Sequence, residues 1–352
     1  MTTRRLAAHT TLRLGGPATA VTEAHDEREL VEAVREADQA GEPLLLIAGG
    51  SNLVIGDDGI AGPVLLIRTA GVHHDPSDPD LIHVAAGEPW DPFVARCVAE
   101  DRPGVACLSG IPGSVGATPI QNVGAYGQEV GDVIAALHVL DRKHGTIATM
   151  RAEDAQFGYR RSIIKREPGR YAVLRVTFRL PRDRVGAVVR YSELARLLGV
   201  EQGERVPAAE IRDAVLDLRR AKGMVLDPRD PDTASVGSFF MNPILDADAF
   251  FKLERRVAAL LGPDAGLPAF PAGADGRMKT SAAWLIERAG FAKGYGRADG
   301  IAISSKHVLA LTNRGHGTTA ELLALAHEIA GTVRERFGVT LHPEPVFAGC
   351  AW

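Results

Sequence analysis

The sequence predicts an α+β protein of two domains, the second more helical than the first. Three observations carry this. The first third of the chain alternates short apolar runs with glycine turns, the pattern of strands. From about residue 207 the apolar spacing changes to that of helices. The 352 residues suffice for two or three domains with at least one sizeable core. No internal repeat or low-complexity tract competes with this reading.

The elements follow in chain order. Residues 44–48 (LLLIA) read as a buried strand that runs into Gly49, Gly50, Ser51 and Asn52. Residues 64–68 and 81–87 read as further strands, and 88–100 as a helix. The stretch 111–127, IPGSVGATPIQNVGAYG, has neither period and reads as extended loop. Strand character returns at 133–141 and 171–180. In the latter, Ala172, Leu174, Val176, Phe178 and Leu180 share one face, with Arg175, Thr177 and Arg179 opposite. Residues 182–203 mix turns with a short apolar piece. Ile211, Val215 and Leu218 are spaced as on a helix. The polar, proline-bearing piece 227–235 (DPRDPDTAS) reads as a flexible connection. Residues 279–290 form another expected helix. Thr318 and Glu321 have capping-box spacing ahead of one stripe, Leu322, Leu325, Ile329, Val333 and Phe337, and Gly338 suits the stop.

Bulk properties narrow the partners. A net charge of −4 argues against a surface built for nucleic acid or polyphosphate, but not against one small anionic ligand. The three cysteines, Cys97, Cys107 and Cys350, are far apart and show no CxxC spacing, so neither a disulfide framework nor a zinc site is expected. No HExxH is present, and no metal is expected. The N-terminus lacks the apolar stretch of a signal peptide, and no apolar run reaches membrane-spanning length. The expectation is a cytoplasmic protein with no nucleic-acid partner and no membrane insertion.

Several familiar motifs are missing. No GxGxxG follows a strand, and residues 273–280 lack the glycine before the lysine of a Walker A loop. Residues 112–116 (PGSVG) nearly copy a nucleophile elbow, but proline replaces the first glycine. Two glycine-rich turns remain, at 49–53 and 110–127. Glycine lets backbone N–H groups face an anion with no Cβ in the way, and Ser51, Asn52, Ser114 and Asn122 can add donors. The same residues also suit two tight turns with buried backbone. Arg160, in FGYRRS, can grip a carboxylate with its fork or stand as half of a solvated charge pair. Ser238 precedes two phenylalanines, which would dry its hydroxyl into a proton donor for a strongly basic carbon, or simply pack a turn. Glu344, between Pro343 and Pro345, is a rigidly held carboxylate or an exposed turn glutamate.

Taken together, AGGSNLVI (48–55), GIPGSVGATPIQNVGAYG (110–127), YRRSIIK (159–165), GSFFMNP (237–243) and HPEPVF (342–347) resemble the UDP-N-acetylenolpyruvoylglucosamine reductase family. The likeness runs from Thr11 to Gly349. It implies an FAD-binding domain of the vanillyl-alcohol-oxidase type over 1–214, with subdomains of about 1–70 and 71–214. A smaller α+β domain for the UDP-sugar would follow over 215–338, and residues 339–352 would return to the active site. It also implies non-covalent FAD held by Gly49, Gly50, Ser51, Asn52, Leu53, Gly113, Ser114, Gly116, Asn122, Gly124, Ala125 and Tyr126. NADPH would reduce the flavin. The enolpyruvyl ether of UDP-N-acetylglucosamine would then take hydride at C3 and a proton at C2, a step of peptidoglycan synthesis. Arg160 would hold the substrate carboxylate, Glu344 would pair with the intermediate, and Ser238 would protonate C2. Tyr191, Lys222 and Asn242 match positions expected at the UDP and diphosphate end, with Tyr191 marking the longer subclass. The expected assembly is a monomer. The chain departs from the family pattern at Thr10, Met241 and Pro345. Two alternatives stay open from residues alone: a same-fold FAD oxidase of a sugar or alcohol, and a non-enzymatic nucleotide-sugar binding module. No histidine in the first glycine loop speaks for the covalent flavin link common in such oxidases.

Overall fold

The structure is a computed structural model that describes residues 4–273 and 275–352. The chain separates into two compact units. The first comprises Arg4, Ala18–Gly50 and Ile60–Leu226; the second comprises Arg5–Pro17, Ser51–Gly59 and Asp227–Trp352.

In the first unit, strands Pro17–Ala24, Ile60–Ile67 and Leu45–Ile47 lie parallel in that spatial order. Helix Glu27–Ala40 makes the crossover from Pro17–Ala24 to Leu45–Ile47, and Ile60–Ile67 lies between those two strands. Asp26 caps that helix by accepting from the N–H of Glu29, and Gly41 ends it in the left-handed region. Leu30, Val31, Val34 and Ala37 form its buried stripe. A second, antiparallel sheet runs Thr146–Arg151, Ile134–Asp141, Tyr171–Arg179, Leu81–Ala85, Val72–His74. Its central strand buries Ala172, Leu174, Val176 and Phe178, the predicted face, and Val176 lies opposite both Leu137 and Val84. Helix Trp90–Ala99 closes one side through Trp90 and Phe93, whose rings pack on Phe178 at centroid distances of 6.1 and 5.1 Å. Trp90 Nε1 donates to the carbonyl of Leu108 at 3.0 Å, so the large ring is buried without orphaning its N–H.

A smaller cluster in the same unit joins helices Ser192–Leu198 and Ala208–Ala221 to Ala106 and Cys107. The expected boundary at 214/215 falls inside helix Ala208–Ala221. Ile211, Ala214 and Val215 are core residues of the first unit, and the chain leaves it only at Leu226. Residues 5–17 and 51–59, expected in the first domain, belong to the second unit.

In the second unit, strands Ser235–Ser238, Ala310–Asn313 and Ile301–Ile303 form an antiparallel sheet. Helices Ala247–Leu261, Ala282–Ala289 and Thr319–Phe337 pack around a core that includes Phe239, Phe240, Leu285 and Ile329. The capping box of Thr318 and Glu321 forms in both directions, and Gly338 takes φ +71° at the stop. The terminal segment is part of this unit: Val346–Ala348 pairs parallel with Leu53–Ile55. The piece 227–235 is not a flexible connection. Thr233 Oγ1 bonds the carbonyls of Asp227 and Asp230, and buried Asp232 accepts from the Ser305 N–H and from Arg314. Its polar side chains are satisfied internally, which is why a polar sequence here is ordered.

Candidate active site

The expected site residues fall into two groups, one in each unit. In the first unit the two glycine loops meet backbone to backbone. A Cβ on Gly49 would lie 2.4 Å from Gly113 Cα and 3.1 Å from Ser114 N, so no larger residue fits without moving the second loop. Residues 113–116 are pinned along the start of helix Trp90–Ala99: Trp90 N donates to Gly113 O, Val115 N to Glu88 O, and Gly116 N to Ala86 O, at 2.8–3.0 Å. Ser114 is buried, and its Oγ has no hydrogen-bond partner among the described residues. A buried hydroxyl left unpaired beside two apposed glycine turns fits the diphosphate of FAD, which would accept its hydrogen bond.

The Asn122 side chain is engaged by neighbouring protein groups. Its amide donates to Glu129 Oε2 at 2.6 Å and to Gly158 O at 3.1 Å, and its Oδ1 accepts from Gly131 N at 2.8 Å. Both amide protons are spent on protein acceptors. Asn122 therefore ties the glycine stretch to the turn that carries Arg160. Two further bonds make the same tie: Ser162 Oγ to Ile120 O at 2.6 Å, and Arg160 Nη2 to Gly124 O at 3.2 Å. The turn itself closes by Gly158 N to Arg161 O and Arg161 N to Gly158 O. Arg160 stands at its third position with φ +52°, a region that favours glycine or asparagine. An arginine held there is local strain of the kind that clusters at functional sites.

Gly124 and Ala125 pair with Glu129 and Gln128 in a short hairpin whose tip holds Tyr126. Tyr126 meets Tyr191 edge to face at 5.5 Å, and Lys222 Nζ lies 5.8 Å from its ring centroid. Burial pushes the Tyr126 phenol up to about 12, so it stays neutral at neutral pH. The residues expected at the substrate end, Tyr191 and Lys222, are thus gathered on the Tyr126 ring. Arg219 lies one helical turn before Lys222 and beside Gly110; burial lowers the pKa of its guanidinium.

In the second unit, Ser238 ends its strand opposite Ala310, one residue after Gly237 at φ +73°. That irregular strand end needs the glycine. Phe239 and Phe240 are buried in the core, while Ser238 is half-buried. The phenylalanines act as anchors for the turn. Glu344 N donates to Phe239 O at 2.8 Å, and Met241 N to His342 O at 3.0 Å. Ser238 and Glu344 are therefore carried on two chain segments laced together by backbone bonds. Asn52 extends the lacing: its side-chain amide donates to Glu344 O at 3.3 Å, and its carbonyl accepts from Val346 N at 2.9 Å. Ser51, Asn52 and Leu53 belong to this unit, and Gly49 and Gly50 to the first. Asn242 Oδ1 accepts from Ala282 N at 2.9 Å, which spends its carbonyl at the start of a helix. Glu193 was missed from sequence. Its Oε2 lies 2.7 Å from Lys222 Nζ, and the only signal was its place two residues after Tyr191.

Comparisons with known proteins show the family. A family profile described as an FAD binding domain matches residues 18–151. A second, described as the C-terminal domain of UDP-N-acetylenolpyruvoylglucosamine reductase, matches residues 228–348. The chain is an FAD-dependent oxidoreductase, α+β in class, with an FAD-binding domain. UDP-N-acetylenolpyruvoylglucosamine reductase of Thermobifida fusca is 54% identical over 346 residues, covering 98% of this chain and 96% of the relative. That of Streptomyces coelicolor is 56% identical over 347 residues, covering 98% and 89%. The chain belongs to the UDP-N-acetylenolpyruvoylglucosamine reductase family, the enzymes of peptidoglycan synthesis already expected from its motifs, and the oxidase alternative falls. A crystal structure of the Thermus caldophilus reductase shares the fold, with a TM-score of 0.63 at 24% identity over 99% of both chains. Among the described residues, no helix is long and apolar enough to cross a membrane, and no group of three or more His, Cys, Asp or Glu could hold a metal ion.

Proposed function

We propose that the chain reduces the enolpyruvyl ether of UDP-N-acetylglucosamine to UDP-N-acetylmuramate with NADPH, and that Arg160, Ser238 and Glu344 divide the substrate chemistry. The observation that carries this is the bond from Glu344 N to Phe239 O, which fixes the carboxylate-bearing segment against the residue after Ser238. Bound FAD supplies the hydride path from NADPH to the substrate. The two glycine loops and the Ser114 hydroxyl would hold its diphosphate.

The chain's own residues then manage charge and one proton. Hydride arrival at C3 leaves negative charge at C2, delocalised into the neighbouring carboxylate. Arg160, held in a strained turn by Gly124 O, would bind that carboxylate with its fork and stabilise the growing charge. A carbanion-like carbon is a strong enough base to take a proton from an alcohol, so Ser238 suffices as donor despite its high intrinsic pKa. Glu344 would face the intermediate from the serine side, and the lacing by Asn52 sets its position. Tyr191 and Lys222 would hold the UDP and diphosphate end. In this reading the enzyme works in the cytoplasm as a monomer, and cell shape, cell cycle and cell division depend on its product through the cell wall.

The test is Ser238→Ala in single-turnover kinetics. A preorganised donor aimed at developing charge is worth about 3–4 kcal/mol, so reoxidation of the reduced flavin by substrate should slow about a hundredfold or more. Flavin reduction by NADPH should keep its rate. Equal losses in both half-reactions would overturn the assignment.

A further inference from the structure

We propose that Glu193 is an affinity-limiting counter-ion: it parks Lys222 and must release it before Lys222 can bind the diphosphate of the nucleotide sugar. The inference rests on the assignment of Lys222 to that diphosphate, made above. Four observations converge. Lys222 Nζ and Glu193 Oε2 are 2.7 Å apart, and both side chains are only 30% exposed. The lysine stands over the Tyr126 ring, so one of its sides is already covered. Tyr191 packs edge-on against the same ring. Glu193 sits in the first turn of helix Ser192–Leu198, two residues from Tyr191, so the segment that carries the substrate-facing tyrosine also carries the carboxylate.

The physical consequence follows from charge. A diphosphate that reaches Lys222 must share or displace a carboxylate within hydrogen-bond distance of the same ammonium. It also feels direct repulsion from that carboxylate. The pair keeps Lys222 ordered in the ligand-free protein and weakens the lysine's grip on an anion. Because Tyr191 and Glu193 share one turn, release of Lys222 and movement of Tyr191 become one event.

The test measures binding of UDP to the oxidised holoenzyme by calorimetry at low salt. Glu193→Gln keeps shape and removes charge. It should tighten UDP about two- to fivefold, the range a partly exposed ion pair supports. Glu193→Ala should do the same, which guards against a misfolded single variant, and the flavin spectrum of both should match that of the parent. In a Lys222→Ala background the gain from Glu193→Gln should fall below about 1.5-fold, since no lysine remains to be freed. Weaker UDP binding by both Glu193 variants would overturn the proposal and make Glu193 a positioning residue for Lys222. If Lys222→Ala weakens UDP but neither Glu193 variant tightens it, the counter-ion idea alone fails. If Lys222→Ala leaves UDP affinity unchanged, the assignment of Lys222 fails, and the proposal with it.

Discussion

Gly49→Ala tests the apposition of the two glycine loops with a single methyl group. Gly49 is not among the residues of positive φ, so alanine meets no backbone penalty and the perturbation is purely steric. The added carbon would sit 2.4 Å from Gly113 Cα and 2.8 Å from Gly113 C, where ordinary contact begins at 3.4 Å. The loops must therefore part by about 1 Å, close to the gap that forfeits much of a packing contact. Both neighbours are backbone atoms, and the Gly113 carbonyl is already bonded to Trp90 N, so neither can swing aside. Overpacking of this kind typically costs about 1–3 kcal/mol, or about 2–8 °C in Tm. The displaced segment also carries Ser114. Loss of one hydrogen bond to a charged phosphate, about 1.5–3 kcal/mol, predicts FAD affinity lower by about 10–150-fold. The assay is FAD titration of the apoprotein by flavin fluorescence, alongside thermal unfolding of apoprotein. Parent-like flavin affinity together with an unchanged Tm would refute the argument that these loops meet at van der Waals distance and hold the diphosphate between them.

Three further outcomes are expected. Asn122→Ala removes one donor each from Glu129 and the Gly158 carbonyl and strands the Gly131 N–H, and should destabilise the protein by about 1–3 kcal/mol in urea unfolding, with Arg160-dependent turnover falling too; a change below 0.5 kcal/mol, roughly the noise of neutral surface substitutions, would count against the tie. Desolvation pushes the Asp91 carboxyl up, but the Arg212 fork and the Gly110 N–H outweigh it and hold the pKa below its usual value. A folded-state pKa below the unfolded one adds stability above the unfolded value and loses it as pH falls through the folded one. The stability gap between the parent and Arg212→Ala should therefore be constant above about pH 5 and shrink below about pH 4, and a gap that widens in acid would contradict this. Burial pushes the Cys97 and Cys107 thiols up to about 12, while Cys350 is only half-buried. A thiol reagent should modify Cys350 first in the native protein and all three after unfolding; early labelling of Cys97 would show the core to be open.

Much of the fold was legible where period and punctuation agreed. The alternation of 171–180 and the capping box at Thr318 each specify one structure, and both appear as read. Two other elements were less legible. Helix Glu27–Ala40 carries an Asp26 cap and a buried stripe, but so many charges that its apolar period is diluted. Strand Pro17–Ala24 is largely exposed and shows no alternation to read. The piece 227–235 misled because a polar, proline-rich composition marks linkers on average, and here Asp232 finds Ser305, some seventy residues away. Composition cannot register that pairing.

The site divides along the same line. Glycine loops announced themselves, since close backbone approach leaves few alternatives to glycine, as at Gly49. The hydrogen bonds of Asn122 did not, because an amide in a glycine stretch looks the same whether it faces a ligand or braces a neighbouring turn. Glu193 was barely legible for a similar reason: its ion-pair partner, Lys222, is brought to it from the end of another helix.

The most direct measurement is the visible spectrum of the purified protein under anaerobic conditions, first with one equivalent of NADPH and then with the enolpyruvyl ether of UDP-N-acetylglucosamine. The account predicts a yellow protein that bleaches on the first addition and regains its colour, with stoichiometric UDP-N-acetylmuramate, on the second. A protein that bleaches with NADPH and recovers its colour only when oxygen is admitted would contradict it.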